Sequence, residues 1–400
     1  MLVPQAPRRI GCPLLLHPAA SLHPSPEFRL VAACCRWPPG PGREAAVRAA
    51  AAKVDWERLL PVAARHRVEG LVWDGLTRAG VEAPDAVARP LAAVASLTAR
   101  ENLQFAAEAA RLGRAFDAAG LPFLVLKGVT LNMLAYGTLA LKRSADVDVS
   151  VEPSRYADAV RLMAETGYAC VGPAPGASVE DLLAGLSRNK HSIWERGAIW
   201  VELHAALVDS PLLLPGISAA SERQAVPIAP GLSLPTLARE PLFAYLCVHG
   251  ASHGWSRLKW LADVAALLKD ETPEGVEDLY RRSVTLGAGR SAAQALILCA
   301  DLLGLALPPA LERELRASRA NRLLVRAAMR SMLSGGGEVE LDRLALGTLP
   351  IHFSHFLLLP GWRYKAAELK RKLAGPADTA PGLLAAPRWL LRRLRRARAA

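Results

Sequence analysis

Three acidic residues in the middle of the chain have the types and spacing of a divalent-cation site. Asp146 and Asp148 alternate with Val in ADVDVSV, the period-two pattern of a β-strand, so both carboxylates lie on one face. A strand rises about 3.3 Å per residue, which separates them by roughly 7 Å and lets them bind one hard cation or bridge two. The same alternation in WVELH places Glu202 on a second strand, where it can complete a three-carboxylate cluster. Such a cluster suits phosphoryl or nucleotidyl transfer, which needs Mg²⁺ held against a triphosphate.

Basic residues accompany these acids. Lys127 and Gly128 directly follow the apolar run LPFLVL, and a turn at this point can hold phosphate oxygens with backbone N–H groups and an ammonium. Lys142 and Arg143, just before the acids, add two cationic donors for a triphosphate. Taken alone, Asp-Val-Asp is equally typical of a half-exposed strand with a solvated face. The neighbouring basic residues favour the phosphate site.

The chain changes from helical to mixed α/β character near residue 119. Helical spacing of apolar residues extends from Ala45 to about Gly120, and the compact apolar run LPFLVLKG then indicates a buried strand. A helix over 153–168 and strands in HSIWERG and AIWVELHAAL are predicted after it. We predict six segments: a loose N-terminal extension (1–27), an N-terminal helical region (28–118), an α/β core (119–210), a Pro-rich connector (211–240), a C-terminal helical region (241–340) and a basic C-terminal tail (341–400).

The composition favours an α-rich protein that does not span a membrane. Hydrophobic residues make up 52% of the 400 residues, mostly Ala and Leu, with only 6% aromatic. No uncharged apolar run reaches the roughly 18 residues of a membrane span. The six cysteines form no CxxC pair and show no regular spacing, so they indicate neither a zinc ribbon nor a disulfide framework. This pattern fits a reducing compartment, and we expect a cytoplasmic protein.

At this point the sequence resembles a known group of proteins. The run FLVLKGVTLNMLAYGTLALKRSADVDVSV is similar to the core motif of the polymerase β-type nucleotidyltransferases. It most closely resembles a bacterial subfamily in which Lys-Gly replaces the usual Gly-Ser. The downstream segments GYAC, WVELHAAL and HGASHGWSRLKWLADVAALL are also similar to that subfamily, so the resemblance covers roughly residues 28–270.

The resemblance implies a fold and an activity. The fold is α+β, with a small mixed β-sheet as the nucleotidyltransferase core between N- and C-terminal helical regions. The activity is transfer of a nucleoside monophosphate from an NTP to an acceptor, which is a small molecule, a sugar, a peptide or a protein, with Mg²⁺ or Mn²⁺ as cofactor. Asp146 and Asp148 would be the metal ligands. Glu202 would be the third acid, assisting metal binding and deprotonation of the acceptor, and Gly128 would line the phosphate turn.

One departure from the superfamily pattern supports a second hypothesis. The Ser that contacts a phosphate in the superfamily is absent, because Lys127 precedes Gly128 and Val129 follows it. The alternative to an active transferase is therefore a catalytically degenerate module of the same fold that binds nucleotide or metal without turnover.

A third hypothesis rests on Ser252. Gly250-Ala251-Ser252-His253-Gly254 matches the GxSxG nucleophile elbow of α/β-hydrolases, which requires a core strand before the serine, whereas helical sequence surrounds this one.

Basic and imidazole side chains downstream form a candidate substrate cleft. His249 and His253 stand at i and i+4, a spacing that can bind zinc but that more often belongs to structural histidines. In the functional interpretation they line the cleft facing the nucleotide or acceptor, together with Arg257 and Lys259, and Asp263 pairs with one of these bases. His204 shares a strand face with the third acid and can orient a carboxylate or touch the substrate; the alternative is an ordinary half-buried histidine.

The C-terminal end is strongly basic. Residues 361–400 hold 11 Arg or Lys against two acids, within a formal charge of +12 for the whole chain. The segment PRWLLRRLRRARAA has a composition compatible with binding an anionic membrane surface or nucleic acid. The alternative is a solvated basic end with no specific partner.

Overall fold

The structure, a computed structural model, describes residues 23–186, 189–341 and 347–374. Most of the predicted N-terminal extension and the Arg-rich segment PRWLLRRLRRARAA lie outside these residues. Within them the α+β prediction is confirmed, since helices surround one small mixed sheet.

Helices precede and follow the sheet. Five of them come first: α1 (Pro26–Cys34), α2 (Pro41–Ala51), α3 (Trp56–His66), α4 (Glu69–Ala79) and the long α5 (Asp85–Ala118). Three lie among the strands: α6 (Val129–Tyr136), α7 (Tyr156–Glu165) and α8 (Val179–Gly185). The rest are C-terminal: α9 (Arg239–Ser252), α10 (Leu258–Leu267), α11 (Pro273–Thr285), α12 (Gly289–Leu303), α13 (Pro309–Ala317), α14 (Arg319–Met332), α15 (Leu349–Ser354) and α16 (Trp362–Ala374).

The central sheet has five strands in the order β1-β2-β5-β4-β3. They are β1 (Phe123–Val125), β2 (Val147–Val151), β3 (Ala169–Gly172), β4 (His191–Arg196) and β5 (Ile199–His204). Only the β2–β5 pair is parallel, and it places Asp148 directly opposite Glu202. The predicted period-two alternation thus brings the two acidic strands side by side in the centre of the sheet.

The two faces of the sheet differ in character. Val147, Val149 and Val151 of β2 point to one side with Val201 and Leu203 of β5, and they pack in an apolar core with α5 and α7. Because side chains alternate along a strand, the residues between them face the opposite side. Asp148 and Glu202 therefore lie on the face away from this core.

The N- and C-terminal helical regions share one hydrophobic core. Buried residues of α1 to α4 and of α9 to α14 belong to a single cluster. Arg65 in α3 donates to the carbonyl of Ser256 (2.8 Å), and His66 Nδ1 accepts from the backbone N–H of Leu258 (3.0 Å). Helices from opposite ends of the chain are thus one structural unit.

The predicted Pro-rich connector (211–240) contains a β-hairpin. Strands β6 (Arg223–Ala229) and β7 (Leu232–Leu237) pair antiparallel, and Leu234 is buried in the core beneath the sheet. Among the described residues, no helix combines the length and apolar character needed to cross a membrane.

Candidate metal and nucleotide site

The turn between β1 and α6 carries Lys127 and Gly128. Gly128 has φ +70° and ψ −117°, a conformation that residues with a Cβ rarely adopt. The Thr130 hydroxyl donates to the carbonyl of Val125 (3.1 Å) and closes the turn. Glycine here lets the chain leave the buried strand and begin a helix at once, with the preceding lysine directed across the sheet.

Two buried asparagines hold the loop that leads into β2. Asn102 of α5 and Asn132 of α6 both donate to the carbonyl of Lys142 (2.8 Å each). The side-chain oxygen of Asn102 also accepts from the backbone N–H of Ser144 (2.9 Å). These contacts fix the backbone two residues before Asp146 and so position the first acid.

Three carboxylates and one ammonium meet at the polar face of the sheet. Lys127 Nζ lies 3.4 Å from Asp146 Oδ1 and forms a shorter ion pair with Asp148 Oδ2. Asp148 is fully buried, whereas the side chains of Asp146 and Glu202 are each 26% exposed. The ammonium thus occupies a position between two acids that is also open to solvent.

Histidine side chains complete the inner side of this cluster. His204 Nε2 lies 3.1 Å from Asp148 Oδ1 and 3.2 Å from Glu202 Oε2. His191 of β4 is the register partner of His204, and their ring centroids are 4.9 Å apart. His204 Nε2 thus contacts a carboxylate on each of the two central strands.

Burial and neighbouring charges shift the pKa values of the side chains in this cluster in opposite directions. Burial and the nearby Asp148 raise the pKa of Asp146 to about 6. Burial also acts to raise the pKa of Asp148, but the Lys127 and His204 contacts outweigh it and hold that pKa well below its usual value. Burial and the neighbouring His204 lower the pKa of His191 to about 4.

The donor set fits a hard divalent cation. Carboxylate oxygens are the ligands that Mg²⁺ prefers. Asp148 of β2 and Glu202 of β5 supply them from two adjacent strands, and Asp146 supplies another from the position just before β2. Lys127 already places a positive charge between two of these acids, which shows that their arrangement accommodates a cation.

Side chains of helices α9 and α10 form a wall near the acids. This α9–α10 wall consists of Tyr245, His249, His253, Lys259 and Trp260. Burial, with Asp148 as the next cause, raises the pKa of Tyr245, and burial together with His253 and Lys127 lowers that of His249. The His253 ring is exposed and stacks on Trp260 at 4.8 Å. His249 is therefore close enough to Asp148 for the carboxylate to affect its pKa, whereas the pKa of His253 is lowered by burial and by Lys190, Lys259 and Lys127.

Lys259 differs from the other lysines near the cleft. Its Nζ lies 5.3 Å from the Trp260 ring centroid, and within the described ranges no carboxylate forms an ion pair with it. Burial and the neighbouring Lys142 and Arg67 lower the pKa of Lys259 to about 7. An unpaired amine beside other cations is suited to meet an anionic group of a ligand.

Three predicted basic residues are held in ion pairs instead. Lys142 forms a buried ion pair with Asp263, which also accepts from the Tyr136 hydroxyl (3.1 Å). The expected partners of Asp263 were the bases of the α9–α10 wall. The other two are at the surface or rim: Arg143 pairs with Glu101, and Arg257 with Glu340 (2.8 Å).

Ser252 lies at the end of helix α9. Its hydroxyl donates to the carbonyl of Val248 (2.9 Å), one helical turn earlier. A nucleophile elbow needs a strand before the serine and a base at its hydroxyl. The helical setting contradicts the hydrolase hypothesis.

Sequence reasoning missed two residues of the site. Ser144 is buried, and within the described chain its hydroxyl has no hydrogen-bond partner, although it lies 3.4 Å from where a Cβ on Gly128 would be. The position of His191 could have been predicted from the hairpin that β4 and β5 form. Arg196 and Ile199 flank a two-residue turn, and counting outward from them pairs His191 with His204.

Adjacent acidic strands beside a Lys-Gly turn, in a small mixed sheet flanked by helices, define a nucleotidyltransferase-type protein. A family model described as an uncharacterised nucleotidyltransferase matches residues 52–304, more than half of the chain. The chain belongs to this nucleotidyltransferase family. No curated protein matches it.

Proposed function

We propose that the chain is a Mg²⁺-dependent enzyme that transfers a nucleoside monophosphate from an NTP to an acceptor hydroxyl. The observation that carries the proposal is the convergence of Asp146 and Asp148 on one cationic group, the Lys127 ammonium, with Glu202 directly opposite Asp148 in the β2–β5 register. When bound there, Mg²⁺ or Mn²⁺ would neutralise the triphosphate charge and favour attack by an oxygen nucleophile. The family membership supports nucleotidyl transfer as the reaction class.

The chain's own residues would bind the cation, orient the acids and bind the phosphate. The three acids hold the cation, and His204 fixes the orientation of Asp148 and Glu202 through its Nε2. Lys127, displaced from the acids, would turn towards the cleft and donate to a phosphate oxygen. One side chain would therefore serve as counter-ion before binding and as phosphate ligand after it.

The phosphate turn has a second donor in Ser144. Its buried hydroxyl has no partner among the described residues and adjoins Gly128 at the start of α6. A buried polar group without a partner is costly, and a ligand oxygen would satisfy it. We infer that Ser144 supplies the hydroxyl that the Lys-Gly turn lacks. The predicted phosphate role of Lys142 would then be indirect, because its ion pair with Asp263 fixes the same loop.

The acceptor would enter along the α9–α10 wall. Trp260 and His253 form a stacked surface, and Lys259 offers an unpaired amine beside it. This combination suits a planar or anionic group. The acceptor would be a hydroxyl compound whose remaining atoms contact this wall.

The degenerate-module hypothesis is favoured by one observation, the ion pair of Lys127 with Asp148. A lysine that stayed on the acids would oppose metal binding and leave a module without turnover. The two hypotheses differ in NTP consumption. An enzyme releases pyrophosphate when an acceptor is supplied, whereas a module binds NTP and releases none.

Calorimetric titration of an NTP panel tests the proposal. Wild type should bind at least one NTP more tightly with Mg²⁺ than without it, and the Asp146→Asn Asp148→Asn variant should lose this metal dependence. The Glu101→Gln variant is the matched control, because Glu101 is an acid that pairs with Arg143 and belongs to none of the ion pairs of Lys127. Equal metal-dependent binding by wild type and the double variant, with both folded, contradicts the proposal.

A further inference from the structure

A second group of potential metal ligands lies beside the three acids. One ligand atom from each of His191, Glu202 and His204 falls within 4.8 Å of the others. The antiparallel register of β4 and β5 creates this group, because His191 pairs directly with His204 and Glu202 is two residues before it on the same strand face. The group belongs to the edge of the site away from Asp146.

The two imidazoles each have a free nitrogen. Within the residues that the structure describes, the buried Nδ1 atoms of His191 and His204 have no hydrogen-bond partner. The side chain of His204 is only 3% exposed, so water at the surface does not replace the missing partner. A buried nitrogen without a partner is a specific reason to expect a ligand.

The contacts of His204 match those of metal-binding histidines. Such a histidine donates its other ring N–H to a carboxylate, which fixes the tautomer and directs a lone pair at the ion. His204 Nε2 lies at hydrogen-bond distance from Asp148 Oδ1 (3.1 Å). In the tautomer that donates this bond, Nδ1 carries the lone pair.

The donor chemistry separates this group from the three acids. Two imidazoles with one carboxylate suit zinc and other borderline transition metals, whereas Mg²⁺ selects an oxygen environment. We propose that His191, His204 and Glu202 bind a transition-metal ion of the Zn²⁺ class, adjacent to the Mg²⁺ site and sharing Glu202 with it. This site does not depend on the proposed function, since it requires neither NTP nor turnover.

Metal titration of the full chain tests the proposal. After removal of metals with a chelator, wild type should bind one equivalent of Zn²⁺ by calorimetry, and Co²⁺ at the same site should give visible absorption bands typical of nitrogen ligands. His191→Ala should weaken Zn²⁺ binding by at least about tenfold. Removal of a group that only hydrogen-bonds to a metal ligand already costs about tenfold or more, and this variant loses a ligand itself. His191→Gln serves as a second variant if His191→Ala does not fold.

Two controls separate this site from other imidazoles and from the acids. His253→Ala removes an exposed cleft histidine outside the group and should leave Zn²⁺ affinity unchanged. Asp146→Asn removes a carboxylate of the proposed Mg²⁺ site, and this variant should still bind one equivalent of Zn²⁺. Unchanged Zn²⁺ affinity in both folded His191 variants, or no Zn²⁺ binding to wild type, overturns the proposal. Zn²⁺ binding through His191 without NTP binding would support this site and contradict only the proposed function.

Discussion

Lys127 and Asp148 form an ion pair at the centre of the sheet, with the aspartate fully buried and the lysine partly open to the cleft. The pair joins the turn after β1 to the middle of β2. It also gives the site a positive charge of its own in the position where the proposed cation would compete for the same oxygens.

Replacement of this lysine should therefore strengthen metal binding. In Lys127→Met the carboxylates lose their counter-ion, so we expect Mg²⁺ affinity to rise by about tenfold or more, which corresponds to roughly 1.4 kcal/mol. NTP affinity should fall, because the proposed phosphate ligand is gone. Calorimetry with Mg²⁺ alone and then with NTP measures both effects. Lys190→Met is the control, since Lys190 pairs with Asp209 instead of the site acids. Weaker Mg²⁺ binding in Lys127→Met would contradict the idea that the Lys127 ammonium and Mg²⁺ compete for the same carboxylates.

Replacement of Gly128 by alanine should destabilise the fold and weaken nucleotide binding. Its positive φ makes an added Cβ strained, so Gly128→Ala should lose about 1–2 kcal/mol of unfolding free energy and weaken NTP binding. Gly137 has a similar φ of +69° with open space around it, away from the acids. Gly137→Ala, at an αL position that residues with a Cβ tolerate better, should lose about 1 kcal/mol in urea unfolding but keep NTP affinity. Equal NTP affinity in the two variants would argue against a phosphate role for the turn.

Ser144→Ala separates a ligand role from a structural one. Without ligand, removal of a buried hydroxyl that has no partner should leave the unfolding free energy unchanged or slightly higher. NTP affinity should nevertheless fall. Urea unfolding and NTP calorimetry on one preparation give both values, and a destabilised variant with normal NTP affinity would assign the hydroxyl to the fold alone.

The buried Lys142–Asp263 ion pair should matter far more for stability than a surface pair. Asp263→Ala leaves a buried ammonium without its carboxylate and should cost about 3–5 kcal/mol of unfolding free energy. Glu101→Ala breaks the Arg143 pair, in which the arginine is 62% exposed, and should cost about 0–1 kcal/mol. Urea unfolding of the two variants tests the contrast. Similar losses of unfolding free energy in both variants would show that water solvates the Lys142–Asp263 pair.

Lys259 should make stability depend on pH in a defined direction. Its folded-state pKa is lowered to about 7, so between that pH and the usual lysine value the unfolded state binds the additional proton. This group's destabilising effect is complete below pH 7 and disappears as the pH approaches 10.5. Lys259→Met should therefore be more stable than wild type at pH 6.5, and the difference should shrink by pH 9.5.

Thermal or urea unfolding at the two pH values measures this difference. Lys53→Met, at an exposed position of the N-terminal helical region, is the control and should show no comparable trend. A stability gain that is the same at both pH values would mean that the amine does not titrate in this range.

Local patterns predicted much of the core fold. The alternation in ADVDVSV and WVELH gives two strands, and the mixed α+β architecture follows from the sequence. The β6–β7 hairpin was missed because Pro227 and Pro235 read as breaks. A two-stranded sheet tolerates them, since each strand has one edge where no ladder N–H is needed.

The parts of the site that depend on distant packing were not predictable. Asp263 pairs with Lys142, 121 residues away, because the asparagine-held loop brings that lysine to helix α10. Large aromatic side chains usually fill a core, but Trp200 is 49% exposed because it lies on the same strand face as Glu202. Sequence periodicity assigns residues to faces, but which element covers each face is a tertiary property.

The shared core of the two helical regions has a consequence for synthesis. The Arg65–Ser256 hydrogen bond joins positions 191 residues apart, so the apolar surface of α1 to α4 that packs against α9 to α14 is buried only after those helices have left the ribosome. Contacts of such sequence separation slow folding and leave apolar surface exposed meanwhile. The nascent N-terminal half should therefore expose apolar surface until synthesis is complete, and neither half should be stable when expressed alone.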